Sequence, residues 1–232
     1  MTTTDILTDM VLVESEKTAT IHAPVERVDI ADWLLHLPDA EYQRCAPPDH
    51  IAAGTTTTDD GRPMSINVEV IGGTLMVQHY VAEVHEPHHC RMVSLSDVQT
   101  PAGWTKIQVI WDLSVTALDS ASCRYTNQVL SYPTSAFLET LRVAGISFED
   151  AVADRQAASD DHNRRETALY AQSLERKALA AIRLLILLRR TQPLIRAYTS
   201  KSSRRSRAWP ARPNQVSSSP TASGPTVHAS AN

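Results

Sequence analysis

Apolar and polar residues alternate along much of the chain before position 133, a pattern typical of half-buried β-strands. The alternation predicts a first strand over residues 11–21 and six more over residues 50–58, 64–71, 74–84, 90–99, 104–117 and 122–132. The intervening breaks (DDGRP, GG, HEPHH, TPAG and LDSAS) are rich in turn-forming residues. Such short connections predict an antiparallel meander, since parallel neighbours need long crossovers.

Helical spacing appears in two other parts of the chain. Between the first two strands, PVERVDIADWLLHL and PDAEYQRC predict two short helices, and Pro24 suits the first turn of a helix. After Tyr132, TSAFLETLRVAG predicts a further short helix. Residues 148–190 predict one or two longer helices, with Leu169, Leu174, Ala178 and Ile182 along one face.

This order of elements resembles the START-like helix-grip superfamily, also called SRPBCC, and its polyketide cyclase/dehydrase-like bacterial members. The resemblance covers roughly residues 10–180 and rests on IHAPVERV leading into the first helix, the GG hairpin, and the EPHHCRMVS turn. It implies an α+β fold in which a seven-stranded antiparallel sheet wraps around a long C-terminal helix, with two short helices after the first strand. It also implies an apolar cavity between the sheet and that helix.

Charge divides the chain into an acidic body and a basic tail. All 26 acidic residues lie within residues 1–175, whereas half of the 22 basic residues lie in the remaining 57 positions. We expect a flexible N-terminus over residues 1–9, a ligand-binding domain over residues 10–190, and a disordered Ser/Pro/Arg-rich tail over residues 191–232. The tail is suited to weak contact with anionic surfaces, but it lacks the interleaved aromatic residues of a specific nucleic-acid binder.

The sequence also predicts a cytoplasmic protein. An odd number of widely spaced cysteines suggests no disulfide framework. The acidic N-terminus does not resemble a signal peptide. The longest apolar run, Leu184–Leu188, is far shorter than the roughly 20 residues of a transmembrane helix.

The Gly72–Gly73 turn predicts which residues of two strands lie opposite each other. Its register places one histidine, His79, on an otherwise apolar face made of Met64, Ile66, Val68, Val70, Leu75, Val77 and Val81. We expect this face to line the cavity and the opposite face, which carries Asn67, Glu69 and Gln78, to contact solvent. His79 is then either a core histidine satisfied by a hydrogen bond or a polar group directed at a ligand.

A similar argument for the last two strands predicts Trp111, Tyr125 and Asn127 on the inner face. Each is either an ordinary core residue or a contact for a bound molecule. Together with His79, they are the predicted ligand-binding residues.

Other chemistry-bearing motifs are weak, and we expect no metal and no cofactor. HEPHHC at residues 85–90 is rich in ligand atoms, but adjacent residues on a tight hairpin cannot all converge on one ion, so it is interpreted as a connecting turn. The segments that would hold a Rieske cluster or a mononuclear iron are absent from the sequence. His162 and Glu166, four positions apart, are interpreted as part of a solvated helix face.

The expected function is binding of a small apolar or aromatic molecule, such as a lipid or a polyketide, in the cavity between the sheet and the C-terminal helix. The alternative is an enzyme similar to polyketide cyclases or dehydratases, in which a cavity acid/base residue moves a proton. His79 is the candidate for that residue.

Overall fold

The computed structural model describes the backbone of residues 5–202 and the side chains of residues 5–180. Seven antiparallel strands form one sheet in the order β1-β7-β6-β5-β4-β3-β2. The strands are β1 Val13–Ile21, β2 His50–Thr57, β3 Pro63–Ile71, β4 Thr74–Glu86, β5 His89–Thr100, β6 Gly103–Ala117 and β7 Cys123–Pro133. The predicted meander is therefore confirmed, and β1 extends the sheet beyond β7 as an edge strand.

Among the described residues, four α-helices accompany the sheet: α1 Ile30–Leu35, α2 Asp39–Cys45, α3 Ser135–Ala144 and α4 Phe148–Ser202. The Asp29 carboxylate accepts a hydrogen bond from the Asp32 N–H at the start of α1, and the Thr134 hydroxyl accepts one from Phe137 at the start of α3. Gly145, with φ of +67°, ends α3. The α+β helix-grip architecture follows the expected order of elements.

Most of the predicted tail, residues 191–232, lies outside the described residues. The chain divides into a compact unit, Met1–Leu185, and a second unit that begins at Ile186. Within the described part of the chain, no helix is both long enough and apolar enough to cross a membrane.

The concave face of the sheet packs against the first half of α4. Tyr170, Ala171 and Leu174 of this helix are buried. Trp33 of α1 contacts the same helix, since its ring meets Tyr170 edge-on at 4.9 Å and its indole N–H donates to the Ser173 hydroxyl at 3.1 Å. Helix α1 therefore covers one end of the space between the sheet and α4.

The register predicted from the glycine turn is confirmed, but the predicted faces of β3 and β4 are reversed. Ile71 pairs with Thr74 and Ile66 with His79, as expected. The side chains that point into the core are Ser65, Asn67 and Glu69 of β3 and Met76, Gln78 and Tyr80 of β4. The aliphatic residues lie half-buried on the outer face, where β-branched side chains still suit a pleated strand.

HEPHHC forms the predicted turn between strands. Glu86 at the end of β4 pairs with His89 at the start of β5, so that Pro87 and His88 form the hairpin loop. The Pro87 carbonyl accepts a hydrogen bond from the Ile30 N–H at 2.8 Å, which attaches the hairpin to the first residue of α1.

The opposite hairpin places α4 against the sheet. Gly72 has φ of +57°, and a Cβ atom built on it would lie 2.6 Å from the Ala158 Cβ on α4. Gly73 has φ of +78° with no atom within 4 Å of such a Cβ. The close approach at Gly72 therefore sets where α4 crosses the hairpin, one turn before His162.

The two glycines allow backbone strain and steric overlap to be separated. Gly73→Ala should lower the free energy of unfolding by about 1–2 kcal/mol, because an L-residue resists the left-handed conformation. Gly72→Ala should cost more, since it adds overlap with Ala158. When Ala158→Gly is also present, the loss in the free energy of unfolding caused by Gly72→Ala should fall to about that caused by Gly73→Ala. Urea unfolding of the four variants tests this, and equal costs at both glycines would contradict the close approach.

The three cysteines are free and buried. Burial raises the pKa of the Cys45 and Cys90 thiols to about 12, and it also raises the pKa of Cys123. Because the thiolate is the reactive species, none of the three should react with Ellman's reagent in the native protein at mildly alkaline pH. All three should react in guanidinium chloride. Fast labelling of any of these thiols in the native state would show that its burial is wrong.

Candidate functional site

Polar side chains cover the inner face of β3 and β4 where it faces α4. Ser65, Asn67 and Glu69 point inward from β3, and Gln78 and Tyr80 point inward from β4. Buried polar groups require hydrogen-bond partners. An ordinary apolar core would not place so many of them together, so this part of the interior is the candidate site.

Two histidines and two glutamates meet there: His50, Glu69, His162 and Glu166, together called the His–Glu cluster. His50 is the first residue of β2, Glu69 lies in β3, and His162 and Glu166 are one turn apart on α4. One ligand atom from each lies within 4.8 Å of the others. The side chains are between 0% and 7% exposed.

Glu166 is the centre of the cluster. One of its carboxylate oxygens, Oε2, lies 3.1 Å from Nε2 of His50 and 3.1 Å from Nε2 of His162. Nε2 of His50 also lies 3.7 Å from Oε1 of Glu69. The two imidazole rings therefore direct the same nitrogen toward the same carboxylate oxygen.

The other ring nitrogen of each histidine is held by an acceptor. Nδ1 of His50 donates to the Tyr42 carbonyl at 2.8 Å, and its ring stacks on the Tyr42 ring with centroids 3.9 Å apart. Nδ1 of His162 lies 2.9 Å from the Asp49 carboxylate, which also accepts a hydrogen bond from Arg165. These contacts determine the orientation of both rings.

The carboxylates are held in a similar way. The Tyr42 hydroxyl donates to Glu69. The Asn127 amide donates to Oε1 of Glu166 at 2.7 Å, and the Trp111 indole N–H donates to the Asn127 carbonyl oxygen at 2.8 Å. A chain of hydrogen bonds thus connects β6 and β7 to the carboxylate on α4.

Burial and charge act in opposite directions on these groups. Burial alone would lower the pKa of His162, but the hydrogen bond to Glu166 and the negative charges of Glu166 and Glu69 outweigh it and raise that pKa to about 9. The pKa of His50 is also raised, because contact with Glu166 and Glu69 outweighs burial. Burial would raise the pKa of Glu166, yet the two histidines hold it below its usual range. The protein therefore stabilises positive charge beside these carboxylates.

Three cavities that share lining residues lie between the surface near α3 and the cluster. The outermost is a cleft of about 310 Å³ between α3, the first turns of α4 and the hairpin that joins β5 to β6. It shares Arg155 with a cavity of about 50 Å³ under the sheet, which in turn shares Gln78 and Val129 with a third cavity of about 30 Å³. Glu69, His162 and Glu166 line the innermost cavity.

The predicted inward orientation of His79 is wrong. It lies on the outer face of the sheet with its side chain 42% exposed, and its Nε2 lies 3.3 Å from the Asp97 carboxylate. The alternation correctly separated two faces of β4, but the polar face is the inner one because it faces the His–Glu cluster. A histidine on the outer face cannot reach a ligand in the cavities described above.

Trp111, Tyr125 and Asn127 point inward and are buried. Trp111 lines the innermost cavity, and Asn127 connects it to Glu166. Tyr125 does not line the cavities described above, and its hydroxyl has no hydrogen-bond partner among the described residues. Their contact with a ligand stays a prediction.

The interpretation of His162 and Glu166 as a solvated helix face is wrong. Both are buried, and their missing partners are His50 and Glu69, which sequence reasoning did not select. Part of the signal was present, because Asn67, Glu69 and Gln78 share one face of a hairpin otherwise rich in aliphatic residues. The contact with α4 could not be predicted, because these partners are far apart along the chain.

No family model matches the sequence, and no curated protein matches it. Solved structures do match. The Zhui aromatase/cyclase from Streptomyces sp. R1128 is 13% identical with a TM-score of 0.51, and the match covers 73% of this chain and 94% of that one.

Two further structures are similar at lower TM-scores. A START superfamily protein from Mycobacterium smegmatis is 16% identical with a TM-score of 0.40, covering 72% of this chain and 98% of that one. Norcoclaurine synthase from Thalictrum flavum is 12% identical with a TM-score of 0.38, covering 67% and 94%. At 13% identity, the likeness to the Zhui structure shows a shared fold and not a shared activity. The chain has the START-like helix-grip fold, and the likeness to the aromatase/cyclase supports this conclusion.

Proposed function

We propose that the protein binds a small apolar or aromatic molecule in the space between the sheet and α4, with the cleft beside α3 as its main compartment. The observation that supports this is the size and lining of the cleft. Its volume of about 310 Å³ lies at the lower end of the range of about 300–1,000 Å³ typical of small-molecule sites. Val98, Phe137, Leu141, Ile146 and Ala151 supply apolar walls.

Polar groups occur where the cleft meets α4. Asp150, Asp154 and Arg155 are the charged residues of its lining. Arg155 also donates to the Ile71 carbonyl at 3.1 Å, so its guanidinium is held at the boundary with the next cavity. A few fixed polar groups on an apolar wall orient a ligand without supplying most of its binding energy.

The deeper cavities accommodate only a small part of such a ligand. At about 50 and 30 Å³ they are too small for an aromatic ring system, so the body of the ligand occupies the cleft and only a small group extends inward. Trp111, on the wall of the innermost cavity, remains the proposed contact for that group. His79 has no part in this proposal.

A cyclase-like enzyme is the second candidate, and one observation favours it. The row of cavities ends at the His–Glu cluster, where His162 lines the innermost one. In this reaction the cleft would fold a reactive chain and a cavity acid/base residue would move a proton. The Zhui structure is that of an aromatase/cyclase, which agrees with this candidate at the level of the fold.

Filling the cleft should weaken ligand binding. The neutral fluorophore prodan should bind the wild-type protein at one site with a blue shift in its emission. Ala144→Trp places an indole in the cleft, since Ala144 lines it, and should weaken binding roughly tenfold or more. Val143→Trp changes the preceding residue of α3, which is 64% exposed and outside the lining, and should leave prodan affinity unchanged. Equal effects of the two variants would contradict a binding site in this cleft.

The natural ligand can be sought directly. Native mass spectrometry of freshly purified protein should show a fraction of molecules carrying an additional mass, which organic extraction removes. Ala144→Trp should show this adduct less often than Val143→Trp. If neither the adduct nor any apolar compound in a broad thermal-shift screen is found to bind, the proposed binding function is wrong.

A further inference from the structure

The His–Glu cluster combines donor atoms that rarely converge in a protein core. Two imidazole nitrogens and two carboxylates come from β2, β3 and α4, and one atom of each lies within 4.8 Å of the others. Within the part of the chain that the structure describes, this is the one group of His, Cys, Asp or Glu side chains so arranged. Burying these groups is costly unless something compensates their charges.

The orientation of the histidines is the first indication of a bound ion. A histidine that binds a metal usually donates its other ring N–H to a carbonyl or carboxylate, which fixes the ring and the tautomer. Both histidines show this arrangement, with Nδ1 of His50 on the Tyr42 carbonyl and Nδ1 of His162 on the Asp49 carboxylate. Nε2 of each ring is thereby left to face the centre of the cluster.

The glutamates show the same kind of support. Glu69 accepts a hydrogen bond from the Tyr42 hydroxyl, and Glu166 accepts one from the Asn127 amide. Tyr42 thus holds one histidine and one glutamate at once. Each of the four side chains therefore has a hydrogen-bond partner outside the cluster, and its remaining ligand atom points toward the centre of the cluster.

We propose that the His–Glu cluster binds one divalent transition-metal cation, through Nε2 of His50 and His162 and carboxylate oxygens of Glu69 and Glu166. Two nitrogen and two oxygen donors suit zinc, which binds both at about 2.0–2.2 Å in a tetrahedron. Bonds of that length place neighbouring ligand atoms about 3.3–3.5 Å apart. Three of the six separations within the cluster, 3.1, 3.1 and 3.7 Å, lie on either side of this value, and all four ligand atoms lie within 4.8 Å of one another.

The charge of the cluster also matches. With neutral histidines, the carboxylates of Glu69 and Glu166 carry two negative charges, which a divalent cation cancels. The nearby Asp49 is already paired with Arg165. Without an ion, the two negative charges can be neutralised only if both buried imidazoles are protonated. The attraction within a buried ion pair scarcely exceeds the free energy needed to desolvate its charges.

The innermost cavity gives the ion room for a further ligand. Its volume of about 30 Å³ exceeds the roughly 10–15 Å³ that one water molecule needs. Glu69, His162 and Glu166 line it, so a water molecule there lies beside the cluster. Four protein ligands already complete the tetrahedron of a structural zinc site, so a water molecule there would be a fifth ligand.

This inference goes beyond the proposed binding of an apolar molecule and does not depend on it. It competes with the acid/base role of His162, because an Nε2 atom that binds a metal has no proton to transfer. His85 and His88, exposed on the hairpin between β4 and β5, are rival metal ligands, and the neighbouring His89 is held by Asp112 at 2.9 Å.

Metal binding to the full chain, purified without a polyhistidine tag and stripped with a chelator, tests the proposal. Titration with Zn²⁺ followed by elemental analysis should give one ion per chain, and the melting temperature should rise by about 5 °C or more. X-ray absorption of the zinc form should show nitrogen and oxygen neighbours at about 2.0–2.1 Å and no sulfur at about 2.3 Å. Co²⁺ should give the visible absorption of a four-coordinate site, and Zn²⁺ should displace it.

Variants locate the ion. His162→Gln and Glu69→Gln should each weaken Zn²⁺ binding roughly 100-fold or more, and Tyr42→Phe, which removes a supporting hydrogen bond, about 10-fold. The outer-face variant His79→Gln and the hairpin variant His88→Gln should leave the affinity unchanged. Circular dichroism of each metal-free variant checks that it is folded, and the Co²⁺ spectrum and X-ray absorption of the wild-type protein remain decisive if a cluster variant does not fold.

Three results would overturn the proposal. The first is a stripped wild-type protein that binds neither Zn²⁺ nor Co²⁺ stoichiometrically. The second is a sulfur neighbour in the absorption spectrum of the zinc form. The third is loss of binding in His88→Gln while folded His162→Gln and Glu69→Gln still bind, which would assign the ion to the hairpin.

Discussion

The buried carboxylate of Glu166 is the interaction on which the arrangement of this interior depends. A carboxylate without partners in a protein core costs several kcal/mol, so the fold must supply them. It does so from three directions: His50 at the start of β2, Asn127 in β7, and His162 on the same helix. These contacts are possible only if α4 has one position along the sheet and one rotation about its own axis. The close approach between Gly72 and Ala158 helps to hold the helix in that position.

The same constraint explains why the hairpin of β3 and β4 is polar inside and aliphatic outside. Ser65, Asn67, Glu69 and Gln78 face the helix because the cluster needs hydrogen-bonding neighbours. A strand that buries its polar face departs from the usual pattern, and such departures are expected at functional sites. In β6 the apolar residues point inward as expected. Trp111 of β6 donates to Asn127 of β7, which in turn donates to Glu166 of the cluster.

The helix-grip fold separates two chemically different regions of one interior. The cleft beside α3 has mostly apolar walls, whereas charged side chains of the His–Glu cluster line the cavity at the other end. A fold of this kind hosts carriers and enzymes alike, so its function has to be argued from these two regions and not from the architecture. In the proposed function the ligand occupies the cleft, and the His–Glu cluster lies at the other end of the row of cavities.

The sequence by itself determined the elements, their order and the pairing of neighbouring strands, because period-two alternation and glycine turns are local signals. It also located Trp111 and Asn127 correctly, since their strands follow the apolar-in rule. It could not decide which face of β3 and β4 is buried, because alternation defines two faces without saying which one the helix covers. Nor could it join His50 to Glu166, which are 116 positions apart. That contact exists only once the sheet has wrapped around α4, so tertiary structure alone decided where the chemistry lies.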